Sequence, residues 1–150
     1  MEVINGKDIM ANFDKEFDKL IFAEGGYVND PDDSGGETYL GISRKNNPKW
    51  IGWKVIDEEK KKGLKNITSR LKKDIALTNS AKLLYKQKYW DCLELDDIPS
   101  QDIAHQLFDT CVNAGRTTAI NIAQQVLMMT VTGKWSEELK YNLMQYGKRV

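Results

Sequence analysis

Glu24-Gly25-Gly26-Tyr27-Val28-Asn29-Asp30-Pro31-Asp32-Asp33-Ser34-Gly35-Gly36-Glu37-Thr38 cannot be helix or strand throughout, because it crowds carboxylates, glycines and hydroxyls into one segment. Loops of that composition on a rigid scaffold commonly carry chemistry. Just upstream, Phe13, Phe17, Leu20 and Ile21 fall at i, i+4, i+7 and i+8, with Asp14, Lys15, Asp18 and Lys19 between them. That stripe predicts a helix lying on a core. Gly25 and Gly26 follow at once, the expected stop just past a last helical turn. Glu24 is thereby placed at the helix C-terminal end, where the dipole offers a carboxylate no stabilisation. Two readings of Glu24 stand side by side: a solvated helix-end residue, or a general acid partly screened from water.

The loop that follows has turn chemistry at nearly every position from Asn29 to Gly35. Asp30 to Gly35 also matches the first six positions of a calcium loop, but position twelve falls on Gly41 where a bidentate Glu is needed. Tyr39, Trp50 and Trp53 lie in poorly periodic sequence, where aromatic residues either cap a small core or stack on sugars.

Residues 54–75 read as one or two short, highly charged helices broken at Gly63. Thr78 or Ser80 is expected to cap the next helix, with Ala81, Leu84, Tyr85 and Tyr89 on its apolar face, ending near Trp90-Asp91. The acidic, turn-like run Glu94 to Pro99 marks an internal boundary. Ser100 then caps a helix whose Ile103, Leu107 and Cys111 form one line and Ala104, Phe108 and Val112 the next, a face broad enough for a buried helix. On its other side His105, Asp109 and Asn113 recur at i, i+4 and i+8, either as a satisfied structural network or as a helix edge facing a cleft. Gly115 closes the helix. Thr117 or Thr118 starts another, with Ile122, Ala123, Val126 and Leu127 expected inward. After a break at Thr130 to Gly133, Ser136 can cap a last helix from Glu137 to about Tyr146. Five to seven helices without a strong alternating strand pattern predict a mainly α fold.

The totals exclude several functions. One domain of ordinary size is expected from 150 residues, and 22 basic against 22 acidic residues leave no net charge. The basic run Lys60 to Lys62 and beyond is interleaved with acids, so it reads as a solvated surface rather than a nucleic-acid face. Cys92, Cys111 and a lone histidine do not make a zinc site. Two free thiols are the favoured state, with one bridge in an oxidising compartment as the alternative. Met1 to Asn12 contains Glu2, Lys7 and Asp8 and no long apolar core, so it reads as neither signal peptide nor anchor, and no stable membrane insertion is expected. Release through a holin-type pore, or a missing leader, would then explain any action outside the cytoplasm.

Glu24 and Asp33 stand nine positions apart, and Thr38 lies five beyond Asp33. A helix-end acid, a loop carboxylate and a nearby hydroxyl can converge on one cleft. Glycoside hydrolysis wants that set: one carboxylic acid protonates the leaving oxygen while a second group activates or positions water.

The run Glu24 to Pro31, then Asp33, Gly35-Gly36-Glu37-Thr38 and Gly41-Ile42-Ser43, resembles the signature of glycoside hydrolase family 108, the lysozyme-like N-acetylmuramidases of phage lysis proteins and of bacterial proteins labelled secretion activators. Tyr89-Trp90 resembles a later Tyr-Trp pair of that family. Phe108-Asp109, Val112-Asn113 and Gly115 resemble the start of its C-terminal helical part, described as a predicted peptidoglycan-binding region. The resemblance spans roughly residues 13–130. It implies one lysozyme-like multi-helix unit over 1–150, with a catalytic part at 13–96, a helical part at 97–150 and a long catalytic loop after the first helix. It also implies Glu24 as catalytic acid, and it matches Asp33 and Thr38 to the remaining members of the Glu, Asp, Thr triad of phage-type lysozymes. The interval from Asp33 to Thr38 is one residue shorter here.

The expected function is therefore a muramidase that cleaves the β-1,4 bond between N-acetylmuramic acid and N-acetylglucosamine. Asp33 would steady the oxocarbenium-like transition state or orient water, with Thr38 assisting, and Tyr27, Tyr39 and Asn113 would contact sugar. Peptidoglycan strands are the expected partner, a monomer the expected state, the bacterial cell wall or periplasm the expected place of action, and no metal or cofactor is needed. A lytic transglycosylase and a non-catalytic wall-binding or secretion-assisting protein are the alternatives.

Overall fold

The computed structural model describes residues 10–149, with side chains to residue 146. The reading of the N-terminus as neither leader nor anchor falls largely on residues 1–9, outside the described part. Among the described residues the chain is mostly helical, with seven α-helices and one three-stranded antiparallel sheet. None of these helices is long and apolar enough to cross a membrane.

The chain divides into two units, residues 17–85 and residues 10–16 with 86–149. Helix α1, Phe13–Ala23, gives its first turn to the second unit and the rest to the first.

In the first unit, the sheet orders β1 (Tyr27–Asn29), β2 (Glu37–Tyr39) and β3 (Ile42–Ser43) in sequence. No strong strand pattern was expected here, and strands of two or three residues are too short to display an alternation. Helix α2 (Gly52–Lys61) buries Trp53 and Ile56, and α3 (Ile67–Lys72) buries Ile67 and Leu71. The break foreseen at Gly63 is real, since that glycine has φ +105°. Trp50 and Trp53 meet edge to face at 5.2 Å and are almost wholly buried, so both belong to the core. Helix α4 (Ile75–Tyr85) starts earlier than Thr78 or Ser80 would suggest. Asp74 takes the capping role by accepting a 2.9 Å hydrogen bond from the Leu77 amide. Ser80 instead sits within the helix and donates to the Leu77 carbonyl.

The second unit continues with a π-helical turn at Lys86–Trp90 and 3-10 turns at Asp91–Leu93 and Leu95–Asp97, then α5 (Gln101–Ala114), α6 (Arg116–Val126) and α7 (Glu137–Arg149). The acidic run that reads as a boundary is thus folded into this unit, and its Leu95 and Ile98 are fully buried. Ser100 caps α5 as expected, accepting from the Ile103 amide at 3.3 Å. Phe13, Trp90 and Phe108 form an aromatic triangle with centroids 5.4–5.9 Å apart. Helix α6 is rotated from the expected face, which it shares only in part: Ala123 is inward as expected, but Ile122 and Val126 are not. Ala119, Ile120 and Ala123 are buried, whereas Ile122 and Val126 are 45% and 58% exposed. Small residues at 119 and 123 admit close packing, and buried Gln124 accepts from the amides of Thr132 and Gly133, fixing the chain ahead of α7. Ser136 caps α7 through the Leu139 amide.

Candidate active site

The first unit carries Glu24, Asp33, Thr38, Tyr27 and Tyr39. Glu24 follows the last residue of α1, and its amide still donates to Leu20 at 2.8 Å. Two residues on, Gly26 passes so close to Thr68 of α3 that any Cβ would overlap the threonine side chain. The Tyr27 amide donates to Thr68 Oγ1 at 3.0 Å. The backbone leaving the acid is therefore anchored to α3 by a residue that sequence reasoning did not single out.

The Glu24 side chain is half-buried and lies against the turn between β2 and β3. That turn is Leu40-Gly41, flanked by the Tyr39–Ile42 pair, with φ +49° and +77° at its two residues. Positive φ at both central positions is the mark of a type I′ hairpin turn. Leucine seldom adopts such a conformation. Here Leu40 is buried, and its carbonyl accepts a 2.7 Å hydrogen bond from Tyr85 Oη of α4. A Cβ added to Gly41 would stand 2.7 Å from Tyr85 Oη and 3.0 Å from Glu24 Oε2. Gly41 is thus required twice, once for its backbone angle and once for the space the carboxylate and the phenol occupy.

Asp33 sits in the exposed loop between β1 and β2. Its Oδ1 accepts from the Gly35 amide at 3.0 Å, its amide donates to the Asp30 carbonyl, and its carbonyl accepts from Gly36. Asp30 makes the matching contact to Asp32, so the loop is a succession of side-chain-closed turns. Thr38 is the middle residue of β2, opposite Val28 on one side and Ser43 on the other. Alternation along the strand puts Thr38 on the face opposite Glu37 and Tyr39. The hairpin therefore aligns Gly41, Thr38 and the Asp33 loop along one short strand, with Glu24 at the Gly41 end.

Tyr27 and Glu37 form a cluster that sequence reasoning missed. The Tyr27 hydroxyl donates to Glu37 Oε2, Lys60 Nζ reaches the same carboxylate at 2.7 Å, and Arg44 Nη1 reaches its other oxygen at 2.8 Å. Arg44 also grips Asp57 with both terminal nitrogens, at 2.7 and 2.8 Å. Burial pushes the Glu37 carboxyl up, but Lys60, Tyr27 and Arg44 together hold it below its ordinary value. Asp57 is lowered by its Arg44 contact. Burial, reinforced by Glu37, raises the Tyr27 phenol. Asp57 and Lys60 read in the sequence as part of a solvated helix surface, and their pairing with Glu37 and Arg44 emerges only once the hairpin is folded.

Tyr39 was expected to touch sugar. It is fully buried, and burial followed by the nearby Asp74 charge pushes its phenol up to about 12. Its ring has no accessible face on which a sugar could stack. Asn113 belongs to the second unit, on α5, where its Nδ2 donates to the backbone and side chain of Asp109 at 2.9 and 3.2 Å. On the same helix His105 Nδ1 lies 2.5 Å from the buried Glu16 carboxylate. That polar line is a hydrogen-bonded set. Among the described residues no three His, Cys, Asp or Glu side chains gather as a metal site.

A family model described as Glycosyl hydrolase 108 matches residues 17–115, which include every candidate residue from Glu24 to Asn113. Among solved structures, that of Brucella abortus SagA is similar, with a TM-score of 0.63 and 25% sequence identity, covering 89% of this chain and 68% of that one. No curated protein matches the sequence.

Proposed function

The chain belongs to glycosyl hydrolase family 108, and from that premise we propose that it is an N-acetylmuramidase, acting on the glycan strands of peptidoglycan at the bacterial cell wall. Glu24 is the general acid that protonates the glycosidic oxygen between N-acetylmuramic acid and N-acetylglucosamine. The observation that carries this reading is the seat of its carboxylate: half-buried, held against a glycine in a hairpin turn that Tyr85 locks from below. A group so placed keeps its orientation without a flexible side chain having to find it, which is what acid catalysis needs.

Asp33 lies toward the other end of β2, at a strand rise of about 3.3 Å per residue. In this reading Asp33 is the second carboxyl and orients the attacking water, as in a single-displacement hydrolysis. Thr38, between them on the strand, assists in positioning that water, and the half-buried Tyr27 ring is the remaining candidate in this unit for contact with the sugar chain.

The test is Glu24→Gln, compared with wild type on purified peptidoglycan for release of reducing ends, with mass analysis of the products. Loss of at least about a thousand-fold in rate, with an unchanged circular dichroism spectrum and melting curve, is the expected outcome for a general acid of this kind. Wild-type release by the variant would remove Glu24 from the mechanism. Products ending in 1,6-anhydro sugars would replace hydrolysis by transglycosylation.

A further inference from the structure

Cys92 and Cys111 have no part in the reaction proposed above, yet the fold brings them together. Cys92 occupies the 3-10 turn Asp91–Leu93, and Cys111 lies in the last turn of α5. Contacts on both sides bracket the pair. Trp90, two residues before Cys92, meets the ring of Phe108, one helical turn before Cys111, at 5.9 Å. Just past the end of α5, Arg116 Nε donates to the Cys92 carbonyl at 3.1 Å. Between these clamps the Cys92 thiol donates to the Lys88 carbonyl at 3.0 Å, and the two cysteine side chains are near enough to shift one another's titration in opposite directions. Both are free, with Cys111 buried at 1% exposure and Cys92 half-buried. Among the described residues no third ligand joins them as a metal site, so the chemistry open to the pair is that of two sulfurs.

We propose that Cys92 and Cys111 are a modification site, a dithiol that closes to an intramolecular disulfide when the protein meets a disulfide-type oxidant. The roles follow from burial. The Cys92 thiolate attacks one sulfur of an external disulfide and forms a mixed disulfide, while the donor's other half leaves as a thiolate. Cys111 then gives up its proton to solvent and attacks the Cys92 sulfur, expelling the second half of the donor as a thiolate. Two thiols lose two protons and two electrons, and one external disulfide becomes two thiols. The neighbouring Cys111, together with the Arg116 charge, outweighs burial and holds the Cys92 thiol below its ordinary value, which favours it as the first nucleophile. The neighbouring Cys92 and burial push Cys111 up, which suits the resolving partner rather than the first nucleophile.

Closure would tie the segment after the π-helical turn to α5 through a loop of about 20 residues, long enough to stabilise the fold appreciably. The whole chain, reduced and then equilibrated with oxidised glutathione, should lose both thiols when titrated under denaturing conditions. Its intact mass should fall by two hydrogens with no glutathione retained, and its Tm should rise by about 5–10 °C over the reduced form. Cys111→Ser should instead accumulate a single glutathione adduct on Cys92. Persistence of both thiols in the oxidised wild type, a stable glutathione adduct on it, or covalent dimers would each overturn the proposal. Because the wild-type mass and thiol count decide the matter, the result stands whether or not the serine variant folds, and no readout depends on Glu24.

Discussion

Glu24 Oε2 and Gly41 are so close that a methyl group on the glycine would stand 3.0 Å from the carboxylate oxygen. The contact joins the end of the first helix to the tightest turn of the sheet. Gly41→Ala would therefore disturb two things at once. Its φ of +77° costs an L-residue about 1–2 kcal/mol, and the new methyl would push on both Glu24 and Tyr85. We expect Tm to fall by about 3–8 °C and kcat on peptidoglycan to fall at least about tenfold, with KM little changed. Steady-state kinetics beside a melting curve check this.

Tyr85→Phe removes only the hydroxyl that Leu40 accepts from. The carbonyl would remain buried and unpaired, at a cost of about 1–3 kcal/mol. Urea unfolding should show that loss. The turn beneath Glu24 should loosen with it, so activity should fall along with stability. Full activity in a destabilised variant would separate the turn from the acid.

The Glu37 cluster predicts a pH-dependent stability. Glu37 and Asp57 titrate below their ordinary values of 4.5 and 3.8 in the folded protein. Such groups stabilise the fold above those ordinary values, and the contribution is lost as pH falls through the depressed folded values. Glu37→Gln should thus lower Tm at pH 6 and have a shrinking effect as pH drops below about 4. Melting curves for both proteins across that range should converge at the acid end. Parallel curves would show that the carboxylate charge contributes nothing.

Tyr39→Phe should be close to neutral. Among the described residues its buried hydroxyl has no hydrogen-bond partner, so deleting it leaves no group orphaned. Stability should hold within about 1 kcal/mol, and KM for peptidoglycan should not move. A large rise in KM would restore Tyr39 as a sugar contact.

The helices were legible because their signals are local. The stripe from Phe13 to Ile21, Ser100 before α5, Ser136 before α7 and Gly63 between α2 and α3 each act within a few residues. Where a competing cap or a small residue decided the outcome, the local reading slipped. Asp74 took the α4 cap from Thr78, and α6 buried Ala119 and Ile120 beside the expected Ala123, while Ile122 and Val126 turned outward. The sheet was not legible, since its strands are too brief to show a period. With it went the partners that only the sheet brings together: Thr68 with Tyr27, Tyr85 with Leu40, and Lys60 with Glu37. Glu24 could be singled out from its place after a helix and before two glycines. The ledge it rests on comes from residues far along the chain.

The two connections of β2 differ in what they tolerate. The turn Leu40-Gly41 has no slack: one inserted residue would turn Ile42 from the core toward water, because side chains alternate along a strand. From Asp30 to Ser34 the other loop is exposed and closed by its own side chains, while Gly35 is tied to β3 by a 3.1 Å hydrogen bond from Ser43 Oγ. The exposed tip ahead of that tie can change length without disturbing how β2 sits on β3. The fold thereby fixes one carboxylate and leaves the reach of the other adjustable, so a laboratory seeking altered bond specificity has a natural place to vary length and a neighbouring place to leave alone.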